Sequence, residues 1–163
     1  MENLSAEYYI QTLNLLPHPE GGYYKETFRS TQQVNRTGAA DVKQACTSIY
    51  YLLENDDFSG FHRIASDEIW YFHKGAPLLI HVIETDGNLI SHELSDLDTG
   101  DFSVVVEAGS WFAAEIKAGE GFALVSCAVA PGFDFSEFEM AKRDELVARY
   151  PQHKDLLTRM CRE

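Results

Sequence analysis

The chain has 163 residues, 45% hydrophobic and 24% charged, a composition that suits one globular domain (1–163) able to bury most of its apolar surface. Its formal net charge of -13 repels phosphate backbones and sets the protein against nucleic acid as a partner. No run approaches the roughly 20 apolar residues of a membrane helix. The opening MENLSAEYYIQT lacks a basic region followed by an apolar one, and Cys46, Cys127 and Cys161 are odd in number with no CxxC, so the expectation is a cytoplasmic protein with reduced thiols and no membrane partner.

Ser5 can cap a short helix running to about Leu16, with Tyr9, Ile10 and Leu13 as its apolar stripe. Pro17-His18-Pro19-Glu20-Gly21-Gly22 must be a loop, either a plain connection or a lid over a pocket. Tyr23 to Ser30 alternates as a strand, 31–43 is polar and reads as an exposed loop, and Ala45 to Leu53 is β-branched and aromatic, hence a strand. Leu78–Glu84 and Leu89–Leu94 flank a turn at Asp86-Gly87-Asn88. Phe102–Glu107, Trp111–Ile116 and Phe122–Ala130 follow as strands. Only the tail, Ser136 to Tyr150 and Gln152 to Cys161, returns to helical composition. Short strands with turns every 8 to 12 residues predict an all-β sandwich or barrel with short N- and C-terminal helices.

The stretch GFHRIASDEIWYFHKG (Gly60 to Gly75) holds the candidate chemistry. With a two-residue period, His62 and Ile64 share one face of a strand, and Glu68, Trp70 and Phe72 share one face of the next. A tight hairpin through Ala65-Ser66-Asp67 brings imidazole and carboxylate together in an aromatic surround.

The segments PHPEGGYY (Pro17 to Tyr24), FHRIASDEIWYFHKGAPL (Phe61 to Leu78), EAGSWFAAE (Glu107 to Glu115) and APGFDFSEF (Ala130 to Phe138) resemble the cupin superfamily, in its Cupin_5 or DUF985 branch. The resemblance implies a double-stranded β-helix (a jelly roll) and a homodimer. It also implies a first metal motif of His-x-His, a Glu and a Gly. His62, Glu68 and Gly75 fit that spacing, but Ile64 stands at the second histidine. In the second motif Gly109 matches, whereas Glu107 and Phe112 replace the Pro and the final His. With two of four ligand positions apolar, the expectation is no metal and no other cofactor. The family is also likened to metal-free sugar-nucleotide epimerases of the same fold.

His62 and Glu68 are therefore the candidate catalytic pair, the carboxylate orienting the imidazole and raising its basicity; a structural pair fixing the hairpin would read the same in sequence. Trp70, Phe72 and Phe112 are candidate pocket walls, with barrel filling as their bland alternative. His81, in PLLIHVI, is a further pocket candidate, and Arg63 a candidate contact for an anionic ligand. His73 alternates to the outer face; His18, His92 and His153 read as surface, and Cys127 as a core thiol. Ser59, Ser110 and Ser126 have no base at a recognisable spacing. Three functions follow: a metal-independent isomerase or epimerase acting on a sugar-like or nucleotide-linked small molecule, a non-catalytic binding or sensing protein using the same pocket, and a metalloenzyme with an atypical site.

Overall fold

The computed structural model describes residues 5–162. Ser5 caps α1 (Ala6–Leu13), its hydroxyl accepting the Tyr8 N–H at 3.2 Å, and Asn14 in the left-handed conformation ends the helix sooner than its apolar stripe suggests. Beyond it the chain is almost wholly strand: β1 (Leu16–Pro17), β2 (Tyr23–Arg29), β3 (Gln33–Asn35), β4 (Val42–Gln44), β5 (Thr47–Glu54), β6 (Phe58–Arg63), β7 (Asp67–Gly75), β8 (Leu78–Ile83), β9 (Leu89–Leu94), β10 (Ser103–Val106), β11 (Trp111–Ile116), β12 (Phe122–Ala130) and β13 (Glu139–Met140). The stretch expected as a polar loop holds the β3–β4 hairpin, whose exposed residues leave no burial period to read.

Two antiparallel sheets face each other, one ordered β1-β2-β5-β12-β7-β10 and the other β13-β6-β11-β8-β9. This is the expected jelly roll. Alternation aims each strand: Glu68, Trp70 and Phe72 of β7 point inward, while Asp67, Tyr71 and His73 point out. The interior is closed by Tyr51, Trp70, Phe72, Ile80, Phe112 and Val125.

The expected His62–Glu68 hairpin is not formed. β6 pairs with β11 and β13, whereas β7 pairs with β12 and β10. Residues 64–66 carry the chain from one sheet to the other, since both apolar strands find ladder partners on either side and neither needs its sequence neighbour. His62 and Glu68 thus approach the interior from opposite sheets.

The helices cover outer sheet faces. α2 (Arg143–Arg149) and α3 (Lys154–Met160) lay Leu146, Leu157 and Met160 on Phe61, Trp111 and Ala113 of the five-stranded sheet. α2 starts later than the tail composition implies because Glu139 and Met140 add β13 to the edge of β6. α1 covers Leu52 and Leu124 of the other sheet. No helix among the described residues is long and apolar enough to cross a membrane.

Candidate functional site

A cavity of about 610 Å³ opens between the two sheets. Its titratable lining includes His18, Glu20, His62, Glu68 and Cys127; Tyr24, Phe133, Phe135 and Phe138 form an aromatic wall, and Lys25, Glu26, Arg29 and Asp134 also line it. Phe133, Phe135 and Phe138 pack edge to face, with ring centroids 4.9 to 6.1 Å apart.

His62 is 2% exposed and has both ring nitrogens engaged. Its Nδ1 lies 2.7 Å from the Gly60 carbonyl oxygen, which can only accept, so Nδ1 carries a hydrogen and donates. Its Nε2 lies 3.0 Å from Glu20 Oε2. The ring rests on Phe112 at a centroid distance of 4.1 Å. Burial lowers the His62 pKa to about 4, against the opposing effect of the Gly60 bond.

The turn between β1 and β2 places Glu20 there. His18 N–H donates to the Gly22 carbonyl at 2.9 Å and Gly21 N–H to the His18 carbonyl at 3.0 Å, closing a turn that needs positive φ at Gly21 and Gly22. The Tyr51 hydroxyl donates to the Gly21 carbonyl at 2.6 Å. His18 Nδ1 accepts the Glu20 N–H at 3.2 Å, so in the neutral ring the hydrogen sits on Nε2. Burial is the main force on both groups, pulling the His18 pKa down and the Glu20 pKa up, each moderated by the other's charge.

The tautomers have a chemical consequence. With Nδ1 committed to Gly60, Nε2 is the only His62 nitrogen that can titrate, and it meets a carboxyl oxygen at hydrogen-bond distance. Two acceptor atoms 3.0 Å apart need a hydrogen between them, so the pair shares one proton on the Oε2–Nε2 axis, and burial disfavours charge on both partners. Glu68, 7% exposed, is an un-ionised carboxyl at neutral pH: burial, then the charge of nearby Glu20, raise its pKa to about 8, against the effect of its bond to the Cys127 thiol. Burial likewise pushes the Cys127 thiol well above its ordinary value.

The sequence-derived candidates divide sharply. His62 and Glu68 both reach the cavity, but the carboxyl bonded to His62 belongs to Glu20. Trp70, Phe72 and Phe112 are core: alternation does aim them inward, yet both sheets and each other cover them. His81 faces out of the five-stranded sheet, its ring held between Ser91 Oγ at 2.7 Å and Glu115 Oε1 at 2.9 Å. Arg63 pairs with Glu139 at 2.7 Å and lies over the Trp111 ring, away from the cavity lining. Missed from sequence are His18, read as surface, and the role of Glu20, placed there only in a candidate lid. Their signal is the PHPEGG turn, where prolines and glycines fix a backbone around a histidine and a carboxylate.

A metal does not fit this donor set. Ile64 and Phe112 occupy two positions where the cupin metal motif has histidines, and His62 Nε2 already meets Glu20. Among the described residues no group of three or more His, Cys, Asp or Glu could hold a metal ion.

Several known proteins share this architecture. A hypothetical protein from Leishmania major superposes with a TM-score of 0.92 at 35% identity, covering 98% of this chain and 100% of that one. Protein SO0799 from Shewanella oneidensis gives 0.89 at 37% identity, with 98% of each chain covered. The uncharacterized protein YML079W of Saccharomyces cerevisiae is 32% identical over 168 residues, 87% of this chain and 78% of that one. An oxalate decarboxylase variant from Bacillus subtilis shares the fold alone, at a TM-score of 0.54 and 14% identity over 88% of this chain and 36% of its own. Residues 7–141 match the family described as Cupin_5, Cupin superfamily (DUF985), and the chain belongs to that family.

Proposed function

We propose that the protein is a metal-independent isomerase or epimerase acting on a sugar-like or nucleotide-linked small molecule held in the cavity. The observation that carries this reading is the Glu20–His62 pair at 3.0 Å in the same cavity as the protonated carboxyl of Glu68. Two carboxyls in different environments supply a base and an acid without a metal. The Glu20–His62 pair takes the proton from the carbon beside a substrate carbonyl, and Glu68 gives its proton to the carbonyl oxygen, yielding a neutral enediol. The pair then carries one positive charge and Glu68 one negative, so the site stays neutral overall. Return of the proton to the same carbon, its other face or its neighbour completes exchange, epimerisation or isomerisation. The cavity volume lies in the range of small-molecule sites, and the aromatic wall suits a sugar ring or a base.

The test is to solve the structure of protein purified without chelator and soaked with pooled sugar nucleotides and sugar phosphates. The reading expects an organic ligand within hydrogen-bond distance of Glu20 and Glu68. A ligand bound elsewhere, or a metal coordinated by His62, contradicts it; a ligand in the cavity with no proton exchange leaves a binding protein.

A further inference from the structure

The chain's last described residue, Arg162, reaches back to the turn that carries Glu20. Its Nε donates to the Glu20 carbonyl at 2.7 Å, and one terminal nitrogen donates to the Phe58 carbonyl at 2.6 Å and pairs with Asp57 Oδ1. The other oxygen of Asp57 accepts the Gly22 N–H at 2.8 Å, so the guanidinium and the turn share one carboxylate. The guanidinium carbon sits 4.3 Å from the Phe58 ring centroid. The Glu20 carbonyl also accepts the Gly60 N–H at 2.8 Å, and the Gly60 carbonyl holds His62 Nδ1. Arg162 therefore touches the backbone on both sides of the Glu20–His62 pair.

Two glycines make room for it. A Cβ on Gly21 would collide with the Arg162 guanidinium and with the Phe58 carbonyl, and one on Gly60 would come within 3.0 Å of the Arg162 stem. The Arg162 side chain thus lies against both glycines, one beside Glu20 and one two residues before His62. That arginine lies beyond residues 7–141, the segment matched by the family.

We propose that Arg162 is a positioning residue that locks the Glu20 carboxyl against His62 Nε2, so that the end of the chain completes the site. The proposal rests on the reading of Glu20–His62 as the working pair. Arg162 acts through the Glu20 backbone and the Asp57 bridge, and its charge also eases ionisation of the otherwise strongly desolvated Glu20 carboxyl.

The experiment uses the full chain with ¹⁵N-labelled histidine and reads the His62 Nε2 chemical shift at pH 7 in the wild type, Arg162→Ala, Arg162→Lys and Glu20→Ala. In the wild type Nε2 should be moved from the shift of a free imidazole nitrogen toward that of a protonated one. Glu20→Ala should abolish the displacement and Arg162→Ala should remove most of it, with partial recovery on adding methylguanidinium. Arg162→Lys keeps the charge and the stem over Phe58, is expected to fold even if the alanine variant does not, and should also lose most of the displacement because an ammonium cannot make the forked contact. Folded Arg162 variants with a wild-type Nε2 shift overturn the proposal while Glu20→Ala still reports the pair. A wild-type shift in Glu20→Ala overturns the pair itself.

Discussion

His62 Nε2 and Glu20 Oε2 lie 3.0 Å apart, joining the turn between β1 and β2 to β6 of the five-stranded sheet. Because His62 Nδ1 is tied to Gly60, the proposed proton exchange runs through this contact. Replacing Glu20 with Ala should cut proton transfer by about 10²- to 10⁴-fold, the usual worth of a positioned acid–base group. The buried Nε2 left without its partner should cost about 1–3 kcal/mol of stability. Urea unfolding alongside the rate measurement separates the two effects.

Glu68 should make the protein less stable as pH rises. Its folded pKa of about 8 lies above the ordinary 4.5, so between those values the folded state holds a proton the unfolded state has lost. The slope for one such group is at most about 1.4 kcal/mol per pH unit, negative with rising pH. His62 works the other way: its folded pKa of about 4 lies below 6.5, so its effect makes stability rise from about pH 4 to 6.5. The two effects oppose each other in the overlap, leaving the decline due to Glu68 uncompensated from about 6.5 to 8. Glu68→Gln should flatten that decline in urea midpoints measured from pH 5 to 9; an unchanged profile would show that Glu68 titrates normally.

Phe112 and Phe135 separate core from wall. Phe112 is 1% exposed and packed on Trp70 and His62, so Phe112→Ala should cost about 3–5 kcal/mol. Phe135, 51% exposed beside the cavity, should cost under about 1 kcal/mol when truncated yet weaken ligand binding. Equal losses of stability would refute the division.

We also expect a homodimer. The outer face of the six-stranded sheet exposes Tyr71, Val105 and Phe28, with Ile69 and Tyr50 half-buried among them, in a chain of net charge -13. Uncharged aromatic and branched residues on one sheet face suit pairing with a second copy. Tyr51, next to Tyr50 on β5, points the other way and fills the interior. Light scattering should give twice the 18.4 kDa chain mass at micromolar concentration, and Tyr71→Glu should give the monomer.

The jelly roll could be read from the sequence because strand alternation and turn glycines are local: Glu68, Trp70 and Phe72 all point inward as their period requires. Which inward residues meet a cavity is a matter of long-range register. Trp70 and Phe72 sit where the two sheets close on each other, whereas Glu68, on the same face of the same strand, sits where they part. The His62–Glu68 hairpin failed for a related reason, since a three-residue link serves a sheet crossing as well as a β-turn. The sequence places Glu20 in a loop that suits a lid, but its pairing with His62 is not legible there, because the partner lies across the fold and Arg162, which contacts its turn, is 142 residues away.

The central claim is that Glu20 and His62 move a proton without a metal. The direct measurement is deuterium incorporation from D₂O into pooled sugar nucleotides and sugar phosphates, read by mass spectrometry, with untreated protein, chelator-treated protein and Glu20→Ala. The account predicts one solvent deuteron gained by a component of the pool, at the same rate before and after chelation, and lost in Glu20→Ala. Exchange that disappears on chelation and returns with added metal, or that survives unchanged in Glu20→Ala, would contradict it.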